Sequence, residues 1–155
     1  MAQISYTNDK QRIRALLEHI DSEFFPPISV QVGEMGAYLD RLLSEGKVVI
    51  GQDDTIDALF SYSIRDKTLE CDTLWISPSK RSSPLLYRIL EYVVKNEQGF
   101  EGPIQAKTWS SNSEMVDILK RLGFELKTAV EGDYVPERTT LVFETDSTRF
   151  RRYFR

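Results

Sequence analysis

Two carboxylates, a basic loop and one asparagine are the side chains best placed to do chemistry in this sequence. Glu70 and Asp72 stand two residues apart in the alternating stretch Thr68 to Ile76, so a strand there puts them on one face. That face also carries Leu74 and Ile76. The pair therefore either lines a cleft, where a carboxylate can accept a proton, or marks the solvated end of a strand. Directly downstream, Lys80-Arg81-Ser82-Ser83 precedes an apolar-periodic stretch opened by Pro84. A helix N-terminus offers unpaired amide hydrogens and a partial positive charge, so a pyrophosphate can dock there. The plainer alternative is a helix capped by Ser83 with Pro84 as its first residue. Asn112 opens a further helical stretch as its cap.

Other chemistries find little support. His19 is the only histidine and falls within the first helical stretch beside its apolar stripe, as a surface histidine does. Cys71 is the only cysteine, so no intramolecular disulfide can form and no zinc ligand set is available. Its place within an alternating stretch points to packing in a sheet, with a nucleophilic role as the alternative. The sequence contains neither a Walker loop nor a dinucleotide glycine pattern. The polar first ten residues lack the apolar core of a secretory signal, and no apolar run approaches the ~20 residues that span a bilayer. A cytoplasmic chain with no membrane partner is expected. A net charge of −4 argues against general nucleic-acid binding. Hydrophobic residues at 41% and charged residues at 28% in 155 residues fit one ordinary globular domain spanning 1–155.

These side chains need elements to position them. Gln3 to Thr7 alternates as a strand, and Asn8 or Asp9 caps a helix carrying Ile13, Leu16, Leu17, Ile20 and Phe24. Pro26-Pro27 is expected to stop it. A second helix spans roughly Gly33 to Ser44, with Gly46 ending it. Strands follow at Lys47 to Gly51, Ala58 to Ile64 and Thr68 to Ile76, joined by turns at Gln52-Asp53-Asp54 and Arg65-Asp66-Lys67. A strongly periodic helix covers Pro84 to Asn96, then a strand Ile104 to Trp109 and a helix Ser113 to Leu122 stopped by Gly123. Two last strands, Phe124 to Val130 and Thr139 to Glu144, flank a polar loop. The tail interleaves Arg149, Arg151, Arg152 and Arg155 with Phe150, Tyr153 and Phe154. It reads as a strand extension or helix packing its aromatics on the domain, or else as an interface for RNA or a subunit. The order implies an α/β (α+β) fold with a mixed, mostly antiparallel sheet, and a parallel pair where the helix crosses from the fourth strand to the fifth.

That order resembles the GNAT superfamily of acyl-CoA-dependent N-acyltransferases, and two stretches sharpen the likeness. Leu74-Trp75-Ile76-Ser77-Pro78-Ser79-Lys80-Arg81-Ser82-Ser83-Pro84-Leu85-Leu86 is similar to the family's acyl-CoA motif. Asn112 to Phe124, closing in Leu122-Gly123-Phe124, is similar to its later motif. The family's loop reads Gln or Arg, two free residues, Gly, one free residue, then Gly or Ala. Arg81 matches, while Pro84 and Leu86 occupy the small-residue positions. Leu119 stands where the family often has a tyrosine that protonates the leaving thiolate.

The resemblance implies a GNAT-like sheet splayed between the fourth and fifth strands, with helices on both faces. It implies acetyl-CoA held by Leu74, Trp75, Ile76, Lys80, Arg81, Ser82, Ser83, Leu85, Leu86 and Asn112, with no metal. It further implies direct attack by a primary amine of a small molecule or protein. Glu70 and Asp72 are then candidate bases, and Tyr134 or Tyr62 candidate replacements for the acid. Ser110 and Ser111 fall near the expected cleft. A homodimer is the assembly the resemblance implies. A catalytically silent CoA-binding or interaction domain is the alternative that Pro84 and Leu119 favour.

Overall fold

β-Branched and aromatic residues recur with period two through the middle of the chain, and they build the centre of the molecule. The computed structural model describes residues 2–154. Its strands are β1 (Gln3–Thr7), β2 (Gly46–Gln52), β3 (Ile56–Arg65), β4 (Thr68–Ile76), β5 (Pro103–Trp109), β6 (Glu125–Glu131) and β7 (Thr139–Asp146). They form one seven-stranded sheet in the order β1-β2-β3-β4-β5-β7-β6. All neighbours are antiparallel except β4 and β5. Between β3 and β4 the chain reverses through Asp66 and Lys67, both at positive φ (48° and 66°), a turn whose twist suits a hairpin.

The helices divide between the two faces. On one, α1 (Lys10–Ile20), α2 (Ile28–Val32) and α3 (Met35–Glu45) press Ile13, Leu17, Ile20 and Leu39 onto Val48, Ile50, Leu59 and Trp75. On the other, α4 (Leu85–Asn96), α5 (Ser113–Arg121) and α6 (Ser147–Arg151) cover Val49, Phe60, Tyr62 and Phe143. Helix α4 makes the crossover that a parallel β4–β5 pair requires. Among the described residues no helix is long and apolar enough to cross a membrane.

The expected boundaries hold within a residue or two except around the prolines. Helix α1 ends at Ile20, well before Pro26-Pro27, in a 3₁₀ turn at Asp21–Glu23, so Phe24 packs from the following segment. The prolines instead precede α2, a short helix that the sequence pattern does not announce. Glu34 caps α3 by accepting from the amides of Gly36 and Ala37, so that helix begins at Met35 rather than Gly33. The tail is a helix, not a strand extension. Asp146 caps it, Phe150 is buried against Phe124 and Phe154, and Arg149 reaches Glu125 at 3.1 Å on the surface. Burial of an aromatic side chain contributes about 1.5–3 kcal/mol, and a surface ion pair little, so the aromatics anchor this segment. Arg155 lies outside the described residues.

Candidate functional site

The site begins where two parallel strands part. β4 and β5 pair only through Leu69–Ile104, Glu70–Gln105 and Cys71–Ala106. Beyond Cys71 the edge of β4 that faces β5 has no strand partner, and its backbone groups border a cleft of about 530 Å³. Unpaired strand amides at such a split are donors for an oxygen that gains charge.

One extra residue sets the chemistry of the two sides. Ser61 pairs with Thr73 and Tyr62 with Cys71, so Asp72 is a bulge in β4. The bulge reverses the alternation, because two residues of β4 now oppose one of β3. Leu69 and Cys71 face α4 and α5, and so do Leu74 and Ile76, while Trp75 faces α1–α3. The expectation that Glu70 and Asp72 share a face with Leu74 and Ile76 is therefore overturned. Glu70 lies within the paired segment beside Arg65 and is not among the residues lining the cleft. Asp72 lines the cleft and accepts from Ser63 Oγ at 2.9 Å. Crowding beside the sheet desolvates its carboxylate and raises its pKa above the usual aspartate value.

The basic loop lies at the end of β4. Arg81 donates through Nε to the Ile76 carbonyl at 3.0 Å and through Nη2 to Glu23 at 3.0 Å. Glu23 also accepts from Trp75 Nε1 at 3.2 Å, so it keeps a partner if Arg81 moves. Ser83 Oγ accepts from the Leu85 amide at 3.3 Å and donates to the Lys80 carbonyl at 2.6 Å. Pro84 occupies the N-cap position rather than the first helical one. Of the residues proposed to hold an acyl donor, Leu74, Trp75, Ile76, Arg81, Leu86 and Asn112 line the cleft. Lys80, Ser82 and Ser83 form the loop at its end, and Leu85 is buried in the core. Asn112 caps α5 through Oδ1 to the Met115 amide at 3.2 Å.

The tyrosines are elsewhere. Tyr62 is buried and shares a 2.7 Å hydrogen bond with Tyr6, and burial raises its pKa. Tyr134 sits at positive φ (65°) in the exposed β6–β7 loop. Neither is among the cleft-lining residues. Leu119 lies in the core and borders the cleft without a hydroxyl. Ser111 lines the cleft, whereas Ser110 donates its amide to the Thr139 carbonyl. Cys71 lines it too, but burial pushes its thiol up to about 12, which suppresses the thiolate a nucleophile needs. His19 is exposed. Among the described residues no group of three His, Cys, Asp or Glu side chains converges to hold a metal ion.

Sequence reasoning missed four contributors on one side of the cleft. Phe25 and Trp109 meet as tilted rings with centroids 4.6 Å apart, and Arg138 enters from the β6–β7 loop. Glu23 is the fourth, as the partner of Arg81. None stands in a motif, and a cis peptide bond joins Phe25 to Pro26. The result is a two-sided cleft, with an apolar wall beneath α4 and α5 and a charged, ring-lined wall beside Glu23 to Phe25 and α2.

No protein-family model matches the sequence, and no curated protein is significantly similar to it. Solved structures do resemble the fold. One is a protein of Desulfovibrio desulfuricans assigned to the GNAT family of acetyltransferases, with TM-score 0.72 and 16% identity over 95% of this chain and 99% of that one. Another is the ribosomal-protein-alanine N-acetyltransferase of Escherichia coli, with TM-score 0.74 and 14% identity over 94% of each chain. An N-acetyltransferase of Staphylococcus aureus has TM-score 0.73 and 12% identity over 95% of this chain and 99% of that one. These likenesses establish the GNAT fold.

Proposed function

On this fold we propose an N-acetyltransferase that moves an acetyl group from acetyl-CoA to a primary amine by direct attack. The observation that carries the reading is the parting of β4 and β5 at the Asp72 bulge, beside the N-terminus of α4. The donor would lie on the α4–α5 side. Its pyrophosphate would meet the first-turn amides of α4 and the Arg81 guanidinium, and its arm would pass Leu74, Ile76 and Asn112. The thioester oxygen would face the unpaired edge of β4 beyond Cys71.

The acceptor would enter from the α1–α2 side as an ammonium ion. Asp72, whose pKa burial raises, takes one proton and frees the nitrogen lone pair. The amine attacks the thioester carbon, and the carbonyl oxygen gains charge against the β4 amides. The carbon–sulfur bond then breaks. The nitrogen sheds its second proton and the departing thiolate takes one up, so no tyrosine is required for balance. A covalent route through Cys71 is disfavoured by its raised pKa.

A second reading, a silent CoA-binding or interaction domain, is favoured by Pro84, which lacks an amide at the helix start, and by Leu119. One experiment separates them. Calorimetric titration with acetyl-CoA should saturate, and thiol release should follow on adding a panel of amines. Saturation without thiol release supports the silent CoA-binding domain, and no binding at millimolar acetyl-CoA removes the enzyme and leaves an interaction domain.

A further inference from the structure

Arg138 is buried, with 7% of its surface exposed. Removing a guanidinium from water is costly unless its charge and N–H groups are met. Its Nε donates to Thr140 Oγ1 at 2.8 Å and its Nη1 to the Phe25 carbonyl at 2.5 Å. Both acceptors are neutral, and they engage two of the five N–H donors of an arginine. The Tyr134 ring lies 5.1 Å from its Cζ, a further neutral contact. Asp133 shares its loop, yet among the described residues no carboxylate forms an ion pair with Arg138. The side chain lines the cleft together with Phe25 and Trp109.

A brace between two loops explains the hydrogen bonds but not the buried charge, since a neutral donor would serve as well. A charge kept beside a cleft serves a ligand of opposite sign. We propose that Arg138 receives a carboxylate of the acceptor, so that the amine acylated here is a small amino acid or a related carboxylate-bearing amine. The planar fork of a guanidinium matches two carboxylate oxygens. The tilted rings of Phe25 and Trp109, in contact with each other, supply an apolar wall for the body of such a molecule. The proposal rests on the acyl-transfer reading for the identity of the reaction, and it names the class of acceptor.

The test pairs common L-amino acids with their carboxamides, which lack the charge that Arg138 would read, at a pH where both amines are protonated. Thermal shift reports binding without turnover, and thiol release from acetyl-CoA reports turnover. The wild type should favour acids over amides by about tenfold to a hundredfold, the usual worth of a hydrogen bond to a charged group. Arg138→Met should abolish that preference, bringing the ratio of acid to amide response to about one. Arg138→Lys should keep part of it and controls for folding. Equal response to acids and amides in the wild type overturns the proposal, as does an Arg138→Met variant weakened equally toward both. Acetyl-CoA titration keeps the two readings apart. An Arg138-dependent acid preference without acetyl-CoA binding leaves a carboxylate site and removes the transferase. Amine turnover with no acid preference removes the carboxylate site alone.

Discussion

Arg81 reaches Glu23 through Nη2, and a phosphate drawing on the same guanidinium would compete with that carboxylate, which gives two substitutions opposite effects. The Arg81–Glu23 pair is 3.0 Å long, and its side chains retain 45% and 34% of their exposure. A partly exposed pair of this kind is worth about 0.2–1 kcal/mol. A charged hydrogen bond to a phosphate is worth about 1.5–3 kcal/mol. Exchanging the first for the second nets roughly 0.5–2.8 kcal/mol, so Arg81→Gln should weaken acetyl-CoA binding about 2- to 110-fold. Glu23→Gln removes the competitor, frees Arg81 and should tighten binding up to about fivefold. The Nε bond from Arg81 to the Ile76 carbonyl keeps the side chain in place for either partner. Calorimetry at low salt reads both variants, and raising the salt should shrink both effects. If the pair is instead a brace that shapes the cleft, both substitutions weaken binding together. That result, or an Arg81→Gln variant with unchanged affinity, refutes the reasoning.

Three further outcomes are expected. Asp72→Asn should lower kcat/KM about 100- to 10,000-fold, the range for losing a general base, with acetyl-CoA affinity unchanged. Because folding raises the Asp72 pKa, its stabilising contribution is complete below the unfolded pKa and is lost as pH rises through the folded one. The substitution should therefore not lower the melting temperature at neutral pH, and an active Asp72→Asn enzyme would exclude Asp72 as the base. With its pKa near 12, Cys71 at pH 8 is ionised to about one part in ten thousand, so iodoacetamide should leave it unmodified in the folded protein. Cys71→Ser should retain turnover, whereas its loss would point to a covalent intermediate. At Gly102, an added Cβ would fall 1.9 Å from the Lys67 carbonyl oxygen. Gly102→Ala should cost roughly 1–3 kcal/mol in denaturant unfolding, as overpacking does, and a loss within error would show that the backbone there can yield.

The elements were legible because their signals are local. Apolar stripes repeat at helical spacing in α1 and α4, strands alternate through β3 and β4, and Asp66-Lys67 reverses the chain between them. The relations between elements were not. Nothing in Thr68 to Ile76 announces that Asp72 is an inserted residue, since a bulge is defined by the partner strand and not by its own sequence. A parity rule applied across it puts the carboxylate on the wrong face. The interleaving of β7 between β5 and β6 likewise leaves no mark in either strand. Glu23 meets Arg81 from 58 residues away, and Phe25 meets Arg138 from 113. A loop arginine carries no periodic signal, so its burial became visible only once the sheet had brought the loops together.

The bulge also accounts for why the cleft has two unlike walls. On a regular strand, Asp72 would share the face of Leu74 and Ile76, beside α4 and α5. A carboxylate there would repel the phosphates of an acyl donor and stand across the sheet from an entering ammonium ion. The inserted residue puts that charge on the face of Tyr38 and Arg41 of α3 and leaves Leu74 and Ile76 as an apolar surface that would suit a thioester arm. A low-polarity wall favours the neutral thioester, while Asp72 and Arg138 on the other wall suit a molecule carrying both an ammonium and a carboxylate group. The two meet only where β4 and β5 have parted, beyond Cys71. On the acyl-transfer reading proposed above, one extra residue would separate the environments of two reactants that differ in charge, and the gap between the strands would join them.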